Sequence, residues 1–553
     1  MPDKIPGAAL TTRTVAARKV DRIHTRHCTN TNLARGAETT CRSVSNDGAV
    51  NFANHVDIAA RNTPEATAVA DRTRSRTFEG LADDADRIAG GLDALGVALD
   101  DHVAIHMPNG VPFVATYLGV MKRGAIPLPV NTRFTDEQIR YVLRDSDASA
   151  VVTEGRSDID ATGTRTVAYL DLLEAGDASC DVEPRRSEEV AELLYTSGTT
   201  GAPKGVYHTH GNLAANARGF IRYKEWTRDA VALTACQCFH VTGLNVTTTP
   251  FLALGAENHL LAEWDAETAL TEIERHEITY TFLIPTMVMD LLEYDGVDAY
   301  DVSSLEMIGV GGSPMPKRRI REVEETFGCR LLEGYGMTET TPLATFNRPV
   351  PGGSKPGSIG RPATEVVDIR IEDPATGEAV ERGERGELLW RGDTVTPRYN
   401  NPKITDEKFV ERAVSEGKRD GGGETADGER WLKSGDIGWM DEDGFLFVVD
   451  RLEDMFTTGC GDIYPREIEE VIYEADPVEK VAIIDTRDEV RGATVTAIVK
   501  LRDGESVSAT AIRRACEAEL ESHEVPDRIE FVDHLPRTAT GKLDRISLRD
   551  RFG

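Results

Sequence analysis

The residues Tyr195-Thr196-Ser197-Gly198-Thr199-Thr200-Gly201-Ala202-Pro203-Lys204-Gly205 bring together four Ser/Thr hydroxyls, three glycines and one lysine. They follow the apolar run Val190-Ala191-Glu192-Leu193-Leu194, which predicts a buried strand feeding a loop. A glycine-rich loop after a strand turns backbone N–H groups towards one point and makes a nest for an anion. The hydroxyls add donors and the lysine adds charge, so phosphate is the ligand to expect. The spelling excludes a Walker-type P-loop, because Lys204 follows Pro203 and precedes Gly205 instead of standing in a GK[ST] sequence. The loop therefore holds phosphates in another kind of nucleotide enzyme.

More stretches with reactive side chains follow in order. Cys238-Phe239-His240-Val241-Thr242-Gly243 places a ring and an imidazole before a glycine. Val310-Gly311-Gly312-Ser313-Pro314-Met315-Pro316 and Glu333-Gly334-Tyr335-Gly336-Met337-Thr338-Glu339-Thr340 come next. After Gly386-Glu-Leu-Leu-Trp-Arg-Gly392 stand Lys433-Ser434-Gly435-Asp436, Val449-Asp450-Arg451, Tyr464-Pro465-Arg466-Glu467-Ile468-Glu469 and Pro536-Arg537-Thr538-Ala539-Thr540-Gly541-Lys542. As an ordered set covering the chain outside its first residues, these resemble the signature of the adenylate-forming superfamily. Its members are acyl-CoA synthetases, peptide-synthetase adenylation domains and firefly-type luciferases; the fatty-acid acyl-CoA synthetases are the most similar in kind.

The resemblance implies an α/β protein with a large N-terminal domain over residues 46–450, built of mixed α/β subdomains with largely parallel sheets. A small mobile α+β C-terminal domain, 451–553, would carry Lys542. The implied reaction joins a carboxylic acid to CoA at the expense of ATP, through an acyl-adenylate, with release of pyrophosphate and AMP. A carboxylate approaching the α-phosphate brings two anions together, so catalysis is mostly positioning and charge neutralisation. By resemblance, Thr196, Ser197, Gly198, Thr199, Thr200, Gly201 and Lys204 cradle the departing phosphates. Gly311, Gly312, Ser313, Glu333, Gly334, Tyr335, Gly336 and Met337 form the adenine side, with Tyr335 offering a flat face. Thr338 donates to the α-phosphate, and Glu339 with Thr196 holds Mg²⁺, a hard cation suited to oxygen ligands. Asp436 accepts the ribose hydroxyls, assisted by Arg451, and Lys542 bridges the carboxylate and the α-phosphate. Glu453 takes the hinge position, where relatives usually carry Asp or Lys. Phe239, His240, Gly243 and Gly459 border the acyl and CoA channel, His240 as a catalytic shield and Gly243 letting the backbone pass close to the chain of the acid. Cys460, in Thr458-Gly459-Cys460-Gly461-Asp462, departs from the SGGEN of many relatives and reads as a small filler.

Amino-acid adenylation domains place an Asp after the aromatic of the fourth motif to hold the substrate ammonium. Here that position is His240, which disfavours an α-amino acid. Val241, Leu244, Val246, Phe251, Leu283, Ile284 and Met287 make an apolar neighbourhood suited to an acyl chain. No carboxylate-binding Arg or Lys stands out in this region, which argues against a diacid. A medium- or long-chain fatty acid is the leading substrate; the alternative is an aryl or other acid loaded onto CoA or a carrier protein.

These loops need strands and helices to hold them. Leu81, Ala85, Ile88, Leu92 and Leu95 repeat at helical spacing, Phe113 to Met121 reads as a helix ended by Gly124, and residues 101–107, 125–130 and 148–152 read as strands. Helices alternating with buried strands predict a largely parallel sheet. At 553 residues the chain is too long for one core. Residues 1–45 are Arg-rich, acid-poor and without periodicity, and read as a disordered extension. Residues 415–428 read as a solvated insertion. Eight scattered cysteines without a CxxC pair make disulfides and zinc improbable and fit a reducing cytoplasm; Cys236 and Cys238 read as packing. No apolar run of about 18 residues predicts a membrane span, and monomer or homodimer is the expected state.

The net charge is −31, and only 14 of the 63 basic residues are lysine. Such a surface repels nucleic acid and fits a protein adapted to high salt. Self-repulsion then predicts a melting temperature that climbs markedly from low to molar KCl. A flat melting temperature would leave simple acidity without salt adaptation.

Overall fold

The computed structural model describes residues 51–155, 163–177, 182–196, 203–412, 429–458, 461–488, 492–536 and 543–552. The expected N-terminal extension, the insertion 415–428, residues 197–201, Gly459, Cys460 and Lys542 lie outside the described residues.

The helix expected from the spacing of Leu81 to Leu95 runs Phe78–Ala94. It starts earlier than the apolar stripe because the Thr77 side chain accepts the Gly80 N–H and caps it. Leu81, Ala85, Ile88 and Leu92 are fully buried along one face. The next helix, Val111–Lys122, has Pro112 in its first turn and all 12 residues buried, so it is a core element rather than an amphipathic one. The expected strands are His102–His106, Ile126–Pro129 and Ala150–Thr153. With Arg165–Ala168 they form a four-stranded, wholly parallel sheet.

A second, nine-stranded sheet lies at the centre of the fold. Its inner strands Thr67–Ala70, Glu257–Leu260, Val231–Thr234, Tyr280–Leu283, Met307–Val310 and Arg330–Tyr335 are parallel. Short antiparallel strands close both edges. The strand Val190–Thr196 forms a hairpin with Lys204–Thr209, and Thr196 opposite Lys204 is its last pair. An antiparallel sheet follows, in which Glu429–Met440 pairs with Leu446–Arg451. Beyond it, Ile463, Ile468, Ile472, Val495, Val499 and Ile512 belong to a separate core, beside the strands Val478–Asp488, Gly492–Leu501 and Arg528–Phe531. Among the described residues no helix is long and apolar enough to cross a membrane.

Candidate active site

A cleft of about 540 Å³ opens where the central parallel strands end. Ligands bind there in open α/β sheets because the loops that leave the carboxyl ends of the strands diverge and leave a crevice. Gly311 and Gly312 follow strand Met307–Val310, and Gly334, Tyr335, Gly336, Met337, Thr338 and Glu339 lie at and beyond the end of Arg330–Tyr335; all line the cleft. Thr196 and Lys204, the two ends of the hydroxyl-rich loop, line it as well. His240, Arg451 and Glu453 complete the set that the structure brings together. Only glycine fits at 336, since a Cβ there would stand 1.4 Å from the Pro342 carbonyl oxygen.

Asp436 and Arg451 sit opposite one another on paired strands, with Arg451 Nε 2.9 Å from Asp436 Oδ1. The Tyr335 hydroxyl donates to the other oxygen, Oδ2, at 2.5 Å. The Tyr335 ring packs against Trp390, with centroids 5.7 Å apart. Asp436 itself is 4% exposed and stands behind the cleft wall formed by Ser434, Gly435 and Arg451. Each carboxylate oxygen still has a second acceptor position. After Arg451 the chain makes a tight turn, Asp454 N–H donating to Arg451 O at 3.0 Å, and Glu453 lies within it.

Glu339 is 9% exposed, and its Oε1 accepts the Tyr399 hydroxyl at 2.8 Å. Among the described residues Oε2 takes no hydrogen bond. A half-satisfied carboxylate at the cleft wall suits a hard divalent cation, so Glu339, with Thr196 in the same lining, could hold Mg²⁺.

Several residues expected at the site stand elsewhere. Ser313 is exposed and Phe239 half-buried, and neither lines the cleft. Gly243 does not line it either: a Cβ there would meet the chain's own backbone, 2.3 Å from Cys236 O, so the glycine lets the chain pack on itself rather than on an acid. Of the apolar neighbourhood, Val241 and Val246 reach the cleft, whereas Leu244, Phe251 and Leu283 are buried in the cores. Cys236 and Cys238 are buried; their sulfurs lie 3.5 Å from the Phe282 carbonyl and the Thr248 hydroxyl, and burial pushes both thiols up to about 12. His240 lines the cleft with Nδ1 2.9 Å from the Thr242 hydroxyl.

The family model for AMP-binding enzymes matches residues 56–400, and that for the C-terminal domain of AMP-binding enzymes matches 467–542. The chain belongs to the AMP-binding enzyme family. It is 33% identical to an indoleacetate–CoA ligase of Aromatoleum aromaticum, covering 89% of this chain and 96% of the relative. It is 31% identical to a long-chain-fatty-acid–CoA ligase of Bacillus subtilis, covering 89% and 92%. The solved o-succinylbenzoate CoA synthetase of Bacillus subtilis, in complex with an acyl-adenylate intermediate, superposes with a TM-score of 0.78 at 28% identity, over 90% of this chain and 98% of its own. The protein is accordingly an AMP-forming acid–CoA ligase of the adenylate-forming superfamily, with ATP and CoA as substrates.

The ligase holds its Thr338–Glu339 loop by a device that motif reading missed. Glu192, on the strand ahead of the phosphate loop, is fully buried and accepts the Tyr117 hydroxyl at 2.6 Å and Asn245 Nδ2 at 2.9 Å. His208 Nδ1 lies 2.6 Å from Glu192 Oε1, and its Nε2 lies 2.6 Å from the Thr338 carbonyl. A carbonyl only accepts, so Nε2 carries a hydrogen and one proton lies between Nδ1 and Glu192. The available signal was a Glu inside an otherwise apolar strand, which is costly unless paired.

Glu333 does not line the cleft; its carboxylate accepts the Gly357 N–H at 2.9 Å. Burial pushes its carboxyl up from 4.5 to about 7. A carboxyl whose folded pKa is raised stabilises the fold while protonated, and that contribution is lost as pH rises through the folded value. Between about pH 4 and 8 the ligase should therefore lose roughly 3 kcal/mol relative to Glu333→Gln, which stays neutral. Denaturant unfolding of both across that range checks this, and parallel curves would refute it.

Proposed function

We propose that the acid this ligase activates carries an aromatic ring or a short chain, rather than the long fatty chain the motifs alone favour. The observation behind the reading is the aromatic part of the cleft wall: Phe220, Phe282 and Phe346, with Val246 and Leu343 in the same lining. Trp226 backs that wall, 6.3 Å from Phe220, and is followed by Tyr280 and Phe251 at 4.6 and 4.7 Å. Flat rings with edge and face contacts favour another ring over a flexible chain, which loses rotamer freedom on entry.

In this reading Thr196 and Lys204, with residues 197–201 between them, take the β- and γ-phosphates. Thr338 donates to the α-phosphate. When bound, Mg²⁺ at Glu339 and Thr196 supplies charge neutralisation to the phosphates. An oxygen of the acid attacks the α-phosphorus, the α–β bridge breaks, and Lys542 offsets the charge that builds there. His240, at the mouth of the acid side, shields the adenylate from water. The C-terminal domain, taken from residue 451, then turns at Glu453, the thiolate of CoA attacks the acyl carbon, and AMP leaves.

Pyrophosphate release should be measured over C2 to C18 acids, aryl acids and amino acids, with and without CoA. Highest kcat/KM on ring-bearing acids is the expected result. A maximum on C12 to C18 acids would overturn the ring reading, and CoA-independent turnover onto a carrier protein would replace the acceptor.

A further inference from the structure

Lys224 ends the helix His210–Lys224 and is 2% exposed. Its Nζ lies 3.3 Å from the centroid of the Phe346 ring, 4.8 Å from Tyr280, 5.6 Å from Trp226 and 5.8 Å from Phe220. It has no hydrogen-bond partner among the described residues, and neither has the buried Tyr280 hydroxyl or Trp226 Nε1. Burial without a counter-ion pushes the amine well below its ordinary value.

The fold does pair a buried lysine where the role is structural. Lys122, 1% exposed, has Asp57 at 2.6 Å and Asp86 at 2.5 Å. With 94 acidic residues in the chain, a carboxylate for Lys224 was not hard to supply. Rings hold an ammonium only in part, and a desolvated cation without an anion is costly.

The place of this unmatched donor set decides its meaning. A Cβ on Gly309 would stand 2.7 Å from the Tyr280 hydroxyl, 3.1 Å from Lys224 Nζ and 2.9 Å from the Phe282 ring. Lys224 and Tyr280 thus flank one point on the strand that delivers Gly311 to the cleft. Phe220, Phe282 and Phe346, which cage them, are the same rings that wall the cleft. The donors lie directly behind that wall. Lys224 also has four rotatable side-chain bonds with which to reach past it.

We propose that Lys224 and Tyr280 are specificity-determining residues, and that the acid carries an oxygen acceptor, foremost a second carboxylate, at the end opposite its reacting carboxylate. This rests on the acid–CoA ligase reading of the cleft. On binding, the anion accepts from the Lys224 ammonium and the Tyr280 hydroxyl, which removes the unpaired donors and gives a charge-assisted contact. An acid ending in a methyl group or a bare ring leaves them unpaired, and such sites reject the analogue that lacks the polar group. The absence of an evident Arg or Lys near His240 in sequence is therefore no argument against a diacid, since helix packing brings Lys224 against Phe346 and Phe220 of the cleft wall.

The test is kcat/KM in the pyrophosphate-release assay, on the full chain with ATP, Mg²⁺ and CoA, for 3-phenylpropionate and its 4-hydroxy and 4-carboxy derivatives. Wild type should favour the derivatives, carboxylate above hydroxyl, by on the order of 10² over the bare ring. Lys224→Met, similar in length and apolar, should collapse that ratio by about the same factor, and Tyr280→Phe by about tenfold. A merely structural lysine would lower the melting temperature of Lys224→Met and leave the ratio alone, which overturns the proposal. Wild-type preference for the bare ring overturns it too, whether or not Lys224→Met folds. No turnover of any acid would overturn it together with the ligase reading, whereas turnover with an unmoved ratio sinks this inference alone.

Discussion

Lys542→Ala should lower acid-dependent pyrophosphate formation by a factor on the order of 10² to 10⁴, with thioester formation from supplied acyl-adenylate largely retained. The asymmetry follows from charge. Adenylation brings a carboxylate against a triphosphate, and the attacking oxygen, the α-phosphate oxygens and the leaving group are all anionic. A single preorganised donor aimed at such charge is worth about 10² to 10³ in rate, and a full cation in a water-poor cleft adds to that. In the proposed reading Lys204 and a Mg²⁺ held at Glu339 would serve the leaving phosphates, so neither would replace a cation between acid and α-phosphorus. Thiolate attack on the finished adenylate needs a different set of groups, because the triphosphate is gone. The match to the C-terminal domain of AMP-binding enzymes extends to Lys542. Two assays on one preparation decide: pyrophosphate release from acid and ATP, and acyl-CoA formation from synthetic adenylate. Equal losses in both would refute the assignment of Lys542 to one half-reaction and the turning of the domain at Glu453 with it.

Much of the cleft was legible because its residues are local in sequence. Gly311, Gly312, Tyr335, Thr338 and Glu339 sit in short loops at strand ends, where the chain itself carries the chemistry to one place. The helix Phe78–Ala94 was legible by its one-sided spacing, while Val111–Lys122, buried all round, was legible by its apolar run from Phe113 to Met121 and the glycine beyond it, to within two residues at its start and one at its end. What escaped depends on packing between distant segments. Gly243 reads as room for a ligand, yet the space is filled by the backbone of Cys236 and Gln237. Asp436 reads as a ribose acceptor, and the structure adds that Tyr335 and Arg451 already hold both its oxygens. No motif or spacing marks Lys224, and only the fold turns it into a ring-caged amine. Spacing along a chain reveals one face of one element, and it does not reveal which two faces meet.

His208 is the plainest case of such meeting, and its removal should have the largest effect on stability. The imidazole joins a fully buried carboxylate, Glu192, to the backbone carbonyl of Thr338, and both contacts are 2.6 Å long. His208→Ala leaves Glu192 with the Tyr117 and Asn245 donors alone, opens a void, and leaves the Thr338 carbonyl with only the Thr341 N–H at 3.1 Å. Breaking a buried pair from one side costs about 3 to 5 kcal/mol, because the remaining charge stays desolvated. Glu192→Ala should cost a similar amount, since it leaves His208 facing an empty site. The double variant should cost far less than the two together, with a coupling of about 2 to 3 kcal/mol, because one interaction is being removed twice. Denaturant unfolding of the four proteins gives that cycle directly. Activity carries a second reading: Thr338 and Glu339 lose their anchor, so the folded fraction of His208→Ala should turn over slowly and need more Mg²⁺ and ATP. A cycle that closes additively, with normal Mg²⁺ dependence, would show that the pair neither acts as a unit nor holds the loop.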